Sequence, residues 1–141
     1  ERTKRSIDTT GDLKKILAPL VKVKDENKFL AQVFQSIRIE VNDELEVIRT
    51  LLSDSSKYIK KGGRLVCISY HSLEDRIVKK FIQNGGYNNE VPSDFYGNKN
   101  IIFKKIGKMI TPSSEEIKLN NRSRSAKLRI AEKIWEIFYP F

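Results

Sequence analysis

The stretch GGRLVCISYHSLEDRIVKKF, which ends at Phe81, constrains the fold more than any other part of the chain. Gly62 and Gly63 supply a turn, and the short, nearly continuous apolar run after them is typical of a strand covered on both faces in a parallel sheet. Beyond this run the apolar residues recur at helical spacing: Leu73, Ile77, Val78, Phe81 and Ile82. A strand that leads directly into an amphipathic helix predicts an α/β sheet.

Helical patterns occupy the part of the chain before this stretch. Thr9 or Thr10 is the expected N-cap of a first helix, which Pro19 ends or kinks. From Phe29 onward the sequence predicts one long helix, because apolar residues recur at alternating three- and four-residue steps. These residues are Leu30, Phe34, Ile37, Val41, Leu45, Ile48 and Leu52.

Two more strands are predicted in the last third of the chain, one after Lys99 and one after Ser125. The polar loop NGGYNNEVPSDFYGNKN precedes the first strand, and PSSEEIKL between the two has the pattern of a short capped helical turn. The last strand, AKLRIAEKI, alternates apolar and basic residues and is expected to be half exposed. Because no full helix joins these two strands, they can pair antiparallel. A sheet that starts in mid-course indicates a fragment of a longer protein.

The chain of 141 residues carries 27 Lys and Arg against 18 Asp and Glu, a net charge of +9. This excess favours a polyanionic partner, since each neutralised phosphate releases counterions, although a basic surface kept for solubility explains it equally well. No apolar run approaches the roughly 20 residues of a membrane-spanning helix, and nothing at the start resembles a signal peptide. Cys67 has the pattern of a buried, reduced thiol in a cytoplasmic protein, and one cysteine with one histidine makes a metal site improbable.

The polar residues SYHSLEDR, at the junction of the predicted strand and helix, allow two interpretations. In the first, Ser72 is the N-cap and Asp75 completes a capping box, so that both residues act structurally. In the second, the residues at the carboxyl end of the strand face the ligand crevice of an α/β fold, where His71 and Glu74 are proton acceptors. The sequence favours structural roles for Ser72 and Asp75 and leaves the role of His71 open.

Four segments of the chain together match a known family in the family's own order: IDTTGDL, VFQSIRIEVNDEL, GGRLVCISYHSLEDRIVKKF and PSSEEIKLNNRSRSAKLRIAEK. Over most of its length the chain strongly resembles the ribosomal small-subunit methyltransferase H family, also called MraW. The departures are mild, because Ser36, Tyr70, Asn121 and Ser123 stand where alanine, phenylalanine, proline and alanine are usual.

The resemblance implies the carboxyl-terminal part of a Rossmann-like class I methyltransferase fold, with about three strands of its sheet. On this template, residues 1–28 end an inserted helical substrate-recognition region. Residues 29–141 then supply the long helix and the C-terminal half of the α/β domain.

The resemblance also implies an activity, the S-adenosylmethionine-dependent methylation of the exocyclic amine of a cytidine in the 16S rRNA decoding region. This amine is a poor nucleophile because its lone pair is delocalised into the ring, so an acceptor must orient it and take its proton. His71 and Asn42 are the expected catalytic residues. The expected substrate or RNA contacts are Arg38, Glu74, Arg122, Arg124, Lys127 and Arg129.

The binding assignments have structural alternatives. Arg38 and Asn42 lie one turn apart on the predicted helix, where a solvent-facing polar stripe is the alternative to substrate lining. Arg122 and Arg124 can hold phosphate oxygens through their guanidinium groups, or they can pair with the acidic residues of PSSEEI.

In the family, a glycine-rich cofactor loop and an acidic ribose-binding residue lie upstream of the matched segments. No GxGxG occurs in this chain, so we expect that the fragment alone neither binds S-adenosylmethionine tightly nor transfers a methyl group. A non-enzymatic RNA-binding module is the alternative function. The expected partner is the 16S rRNA of the small ribosomal subunit, without membrane contact, and a homodimer is expected through surfaces exposed by truncation.

Overall fold

The computed structural model describes residues 6–21, 23–85 and 101–135. The chain divides into two compact units, Glu1–Glu44 and Leu45–Phe141. The described helices are α1 (Thr10–Leu17), α2 (Glu26–Val41), α3 (Glu44–Tyr58), α4 (Ser72–Asn84) and α5 (Ser114–Leu119). The described strands are β1 (Arg64–Ser69), β2 (Phe103–Ile110) and β3 (Lys127–Lys133). Most of the predicted polar loop before β2, residues 86–100, lies outside the described residues.

Helix α1 begins at a capping box whose N-cap is Thr9, one of the two predicted N-cap residues. The hydroxyl of Thr9 accepts a hydrogen bond from the backbone N–H of Asp12 at 3.2 Å, and the Asp12 carboxylate accepts one from the backbone N–H of Thr9 at 3.2 Å. The helix ends at Leu17, and Pro19 lies in the 3₁₀ turn Ala18–Leu20 that follows. Proline therefore ends this helix, because it has no N–H to continue the ladder.

The prediction of one long helix is wrong. Helix α2 ends at Val41 and α3 begins at Glu44, with Asn42 as the C-cap and Asp43 in the left-handed region at φ 50°. Asn and Asp tolerate this conformation better than other side-chain-bearing residues, since their short polar groups hydrogen-bond locally. The apolar periodicity runs across the break without losing its spacing, so the pattern alone does not reveal it.

The second unit contains a three-stranded sheet with the order β1-β3-β2, in which β3 pairs antiparallel with both neighbours. This confirms the predicted mixed α/β class with three strands, and also the antiparallel pairing of the last two. Strands β1 and β2 therefore point the same way, and α4 lies between them in the chain.

The prediction that β1 is a parallel strand covered on both faces is wrong for the described residues. The strand pairs antiparallel with β3, and its burial alternates: Leu65 and Cys67 are half-buried, whereas Val66 and Ile68 are 57% and 61% exposed. The covered side, with Leu65, Cys67 and Ser69, is called the inner face here. The opposite, outer face is apolar as well, so both faces of β1 contribute to the continuous apolar run in the sequence.

The core lies between the inner face of the sheet and the helices α3 and α4. Its buried residues are Leu52, Ile77, Val78, Phe81, Ile82, Phe103 and Ala131. The rings of Phe81 and Phe103 lie 5.7 Å apart at 45°, and Ala131 at the centre of β3 is 0% exposed. These three residues belong to one buried cluster, which joins α4 to the sheet. This packing fixes the turn between β1 and α4, which carries the polar residues described next.

Candidate functional site

The turn between β1 and α4 is held by reciprocal hydrogen bonds between His71 and Glu74. His71 is the N-cap of α4, and its Nδ1 accepts from the backbone N–H of Glu74 at 3.4 Å. The Glu74 carboxylate accepts from the backbone N–H groups of Tyr70 and His71 at 2.8 and 3.4 Å. The predicted capping box of Ser72 with Asp75 is therefore wrong by one residue, because His71 provides an acceptor in the same place.

These contacts assign the tautomer of His71. Because Nδ1 accepts a hydrogen bond, the proton of the neutral ring lies on Nε2. Nε2 lies 3.0 Å from a carboxylate oxygen of Glu74, but the angle of this contact is not that of a hydrogen bond. The His71 side chain is only 15% exposed. In this geometry the imidazole caps α4 through Nδ1 and shapes the turn.

Asp75 joins α4 to the sheet through two basic side chains of β3. Its carboxylate accepts two hydrogen bonds from the guanidinium of Arg129, at 2.7 and 3.0 Å, and a longer one from Lys127 at 3.5 Å. The side chains of Asp75 and Arg129 are 11% and 14% exposed. The Arg129 hydrogen bonds, more than any other contact, hold the pKa of Asp75 below its usual range, against burial that acts in the opposite direction.

This ion pair bears on two of the predicted RNA contacts. The charged groups of Lys127 and Arg129 are directed at a carboxylate of the protein itself. Contact of Lys127 and Arg129 with RNA phosphate stays a prediction. The pairing with Asp75 weighs against such contact for Arg129, which is the less exposed of the two.

Arg38 and Asn42 come together with Glu44 at the break between α2 and α3. The Arg38 guanidinium donates to both carboxylate oxygens of Glu44, at 2.8 and 3.2 Å, and the Asn42 amide donates to one of them at 3.3 Å. Arg38 and Asn42 remain exposed. The structure therefore groups these two predicted residues on one polar surface of the first unit, held by a carboxylate that the sequence alone could not assign.

Arg122 and Arg124 lie on the 3₁₀ helix Asn121–Ser125, between α5 and β3. This segment is anchored by Ser123, whose buried hydroxyl donates to the Asn120 carbonyl at 2.8 Å. Both arginines are exposed, and within the described ranges neither forms an ion pair with the acidic residues of α5. Their guanidinium groups point to solvent from an ordered support, an arrangement that suits contact with an anionic partner.

Comparison with known proteins identifies the source of these motifs. Residues 1–134 match a family model described as the MraW methylase family. The chain belongs to the MraW methylase family. This confirms the family resemblance found in the sequence.

Several curated relatives of this chain share one name. Proteins named ribosomal RNA small subunit methyltransferase H from Flavobacterium johnsoniae and Flavobacterium psychrophilum are 56% and 54% identical to this chain, over 133 and 132 residues. The protein of that name from Christiangramia forsetii is 51% identical over 134 residues. The matches cover 94–95% of this chain but only 44–45% of each relative. The chain thus spans less than half the length of the curated MraW proteins it matches.

The described residues of this MraW chain do not by themselves fit a nucleoside cofactor. The turns from β1 to α4 and from β2 to α5 are the described strand-to-helix turns, and neither contains a glycine. A close approach of the backbone to a nucleotide at such a turn requires glycine, so we assign no cofactor-holding residue here. No group of three or more potential metal ligands occurs in the described residues. Nor is any helix in these ranges long and apolar enough to cross a membrane.

Sequence reasoning missed one concave site on this MraW chain. It lies between α4 and the edge strand β2, and its rim carries Lys79, Lys105 and Lys108. The available signals were the basic pattern FKKIGKMI and its glycine, which indicate an irregular, positively charged edge strand.

Proposed function

We propose that this chain is the carboxyl-terminal part of an S-adenosylmethionine-dependent methyltransferase that modifies ribosomal RNA of the small subunit. The observation that carries the proposal is the family match over residues 1–134, together with relatives of 51–56% identity named ribosomal RNA small subunit methyltransferase H. We further propose that the acceptor is the exocyclic amine of a cytidine in the 16S rRNA decoding region. Such an enzyme works in the cytoplasm, where the small subunit is.

In this proposal the chain contributes the nucleic-acid side of the reaction. The net charge of +9 attracts the phosphate backbone, and the exposed Arg122 and Arg124 contact phosphate oxygens. Arg38 and Asn42 are the proposed substrate contacts of the first unit. His71 and Glu74 fix the turn at the carboxyl end of β1, where ligands bind in α/β sheets, so we propose His71 as a catalytic residue, and the His71 variants below test it. Asn42 is the second proposed catalytic residue, through contact with the substrate and not through proton transfer.

The deciding experiment is methyl transfer by a chimeric protein in which this chain follows the amino-terminal part of the Flavobacterium johnsoniae relative. Incubated with radiolabelled S-adenosylmethionine and unmethylated small subunits, the chimera should label the 16S rRNA, and a nucleoside digest should contain the label in N4-methylcytidine. The chain without that amino-terminal part should transfer no label. Label in another nucleoside, or no label from a chimera that is folded, would contradict the proposal.

The alternative is a non-enzymatic RNA-binding module, since a chain without a glycine-rich cofactor loop fits this function as readily as it fits a fragment of the enzyme. It predicts RNA binding by this chain together with an inactive chimera. A homodimer remains a prediction, and sedimentation of the chain over a range of concentrations tests it.

The RNA contact has its own test. Arg122→Gln with Arg124→Gln removes two charges, and on single-stranded RNA each phosphate contact contributes about 0.7 to the slope of log affinity against log salt. The slope should therefore fall by about 1.4. Lys60→Gln with Lys61→Gln, two exposed lysines outside this loop, is the matched control. Equal slopes in the two double variants would rule out phosphate contact through Arg122 and Arg124.

A further inference from the structure

We propose that Lys127 binds an RNA phosphate beside the nucleotide that the turn between β1 and α4 receives, and that Asp75 positions the ammonium group for this contact. The inference rests on the proposed function, because it names a further contact of the same RNA. It also separates Lys127 from Arg129, since only Lys127 is assigned to the nucleic acid. Together with Arg122 and Arg124, Lys127 then forms one basic track that leads to this turn.

The register of the sheet places Lys127 at the end where the candidate site lies. Lys127 is the first residue of β3 and pairs with Ser69, the last residue of β1, whose hydroxyl donates to the Lys127 carbonyl at 3.5 Å. After Ser69 the chain enters the turn of His71, and before Lys127 it forms the 3₁₀ helix that carries Arg122 and Arg124. Ligands of α/β sheets bind at the carboxyl ends of the strands. The arginine segment and the turn of His71 therefore meet at this end, with Lys127 between them.

The side chain of Lys127 also leads to this turn. Its ammonium nitrogen lies 3.5 Å from a carboxylate oxygen of Asp75 in the first turn of α4. The backbone N–H of Asp75 donates to the carbonyl of His71 at 3.1 Å. Asp75 thus contacts both the ammonium group and the backbone of the candidate catalytic turn. A phosphate bound by Lys127 is therefore expected to flank the nucleotide at His71.

The charges around Asp75 leave the Lys127 ammonium group available to a further anion. Arg129 donates to both oxygens of the Asp75 carboxylate, at 2.7 and 3.0 Å, which is a bidentate pair. The Lys127 contact is longer, at 3.5 Å, and the Lys127 side chain is 33% exposed against 14% for Arg129. Two cations share one carboxylate, so one positive charge is left without a counterion among the described residues. An ammonium group has three N–H donors, and one hydrogen bond to Asp75 leaves donors for a phosphate oxygen.

The two cations of this cluster therefore have different roles. Without Arg129, the buried Asp75 carboxylate would lose its bidentate partner, so Arg129 belongs to the fold. Without Lys127, the pair of Asp75 and Arg129 would remain complete. A partly exposed lysine that the fold does not require suits a substrate phosphate, which lysine binds as a point charge.

The first test measures the affinity of this chain for a fluorescein-labelled, single-stranded fragment of small-subunit rRNA with the acceptor cytidine, by anisotropy at several salt concentrations. Lys127→Gln should lower the slope of log affinity against log salt by about 0.7, from one lost phosphate contact, and Lys127→Arg should retain the original slope. Lys57→Gln is the matched control, because Lys57 also pairs with a carboxylate, that of Asp54 at 2.7 Å. It lies next to Ser56, which Lys133 contacts at the other end of β3. Equal slopes for Lys127→Gln and Lys57→Gln would overturn the inference.

Urea denaturation distinguishes a phosphate contact from a purely structural role of Lys127. Lys127→Gln should unfold at the same urea concentration as the original chain, whereas Arg129→Gln should unfold at a lower one. A decrease of the midpoint in Lys127→Gln as large as that in Arg129→Gln would assign the lysine to the fold and overturn the inference.

A second binding measurement locates the phosphate. In the same oligonucleotide, one linkage at a time is replaced by an uncharged methylphosphonate. At the contacted phosphate this replacement should weaken binding by the original chain but not by Lys127→Gln, because both changes remove the same interaction. That phosphate should flank the acceptor cytidine. Equal weakening in both proteins at every linkage would overturn the inference, as would coupling only at a phosphate remote from that cytidine.

The outcomes separate this inference from the proposed function. An inactive chimera together with a lower slope for Lys127→Gln would contradict the methyltransferase proposal and support the phosphate contact. An active chimera together with equal slopes for Lys127→Gln and Lys57→Gln would do the opposite.

Discussion

The ion pair between Asp75 and Arg129 gives the sharpest prediction about stability. We expect Asp75→Asn to lower the free energy of unfolding by about 3 kcal/mol, near the lower end of the range for breaking a buried pair. The side chains are 11% and 14% exposed, so little water is available to solvate an unpaired guanidinium. An asparagine oxygen still accepts one hydrogen bond, but the amide donor faces the Arg129 donors and the compensating charge is gone.

The same pair predicts a dependence on pH. Arg129 lowers the pKa of Asp75 in the folded protein, so the unfolded state binds more protons around the ordinary aspartate pKa of about 3.9. The contribution of Asp75 to stability is therefore complete well above that value and is lost as the pH falls through the lower, folded pKa. The original chain should lose stability below about pH 4 more steeply than Asp75→Asn does.

The assay is urea denaturation at pH 7, 5 and 3, followed by far-ultraviolet circular dichroism. Asp54→Asn is the matched control, because Asp54 pairs with Lys57 at 2.7 Å but the two side chains are 48% and 44% exposed. An exposed pair of this kind contributes less than about 1 kcal/mol. If Asp75→Asn destabilises the chain no more than Asp54→Asn does, the pair does not anchor α4 to the sheet and the reasoning from burial is refuted.

Three further changes test local features. Asp43→Val should lower the free energy of unfolding by about 1–2 kcal/mol while Asp43→Gly does not, because φ at this residue is 50°. Urea titrations compare the two variants, and equal free energies of unfolding would contradict backbone strain at the break between α2 and α3. Gly63→Ala should lower the free energy of unfolding by about 1–3 kcal/mol, since its Cβ would lie 2.7 Å from the Ile59 side chain and 2.9 Å from the Lys60 carbonyl. An unchanged free energy of unfolding in the same assay would show that the turn adjusts to the added methyl group. His71→Ala should lower the free energy of unfolding by about 1 kcal/mol, whereas His71→Asn should not, because asparagine also caps a helix. If both variants reduce methyl transfer by the chimera equally, His71 has a role beyond capping.

Local chemistry made most of the elements predictable. Thr9 with Asp12, and Ser113 before α5, place helix starts from residues close in sequence. The sequence predicts the cap of α4 one residue too late, at Ser72, because His71 is an uncommon N-cap. Such an error leaves the fold unchanged. The difference matters for the candidate site, because His71 serves as the helix cap within the turn and does not project freely into a crevice.

Contacts between distant residues were not predictable. Asp75 and Arg129 are 54 residues apart, and their meeting depends on the register that sets Cys67 opposite Arg129. Alternation in β3 indicates a half-exposed strand, but it does not say which face is covered. The structure turns the basic residues inward, where Asp75 accepts from Arg129 and the Ser56 carbonyl accepts from Lys133 at 2.7 Å. Only tertiary partners make a buried lysine tolerable, and these were absent from the local pattern.

The structure thus divides the excess positive charge into two sets with different consequences. Arg129 and the buried Lys133 satisfy groups of the protein itself, so replacing either should destabilise the fold first and alter RNA binding only as a result. Arg122 and Arg124 face solvent, and their replacement should alter the salt dependence of RNA binding with the fold intact. A scan of basic residues therefore has to measure stability and salt slope together. If replacing Arg129 or Lys133 lowered the salt slope of RNA binding without changing stability, the replaced side chain would contact the nucleic acid and not only its partner within the protein.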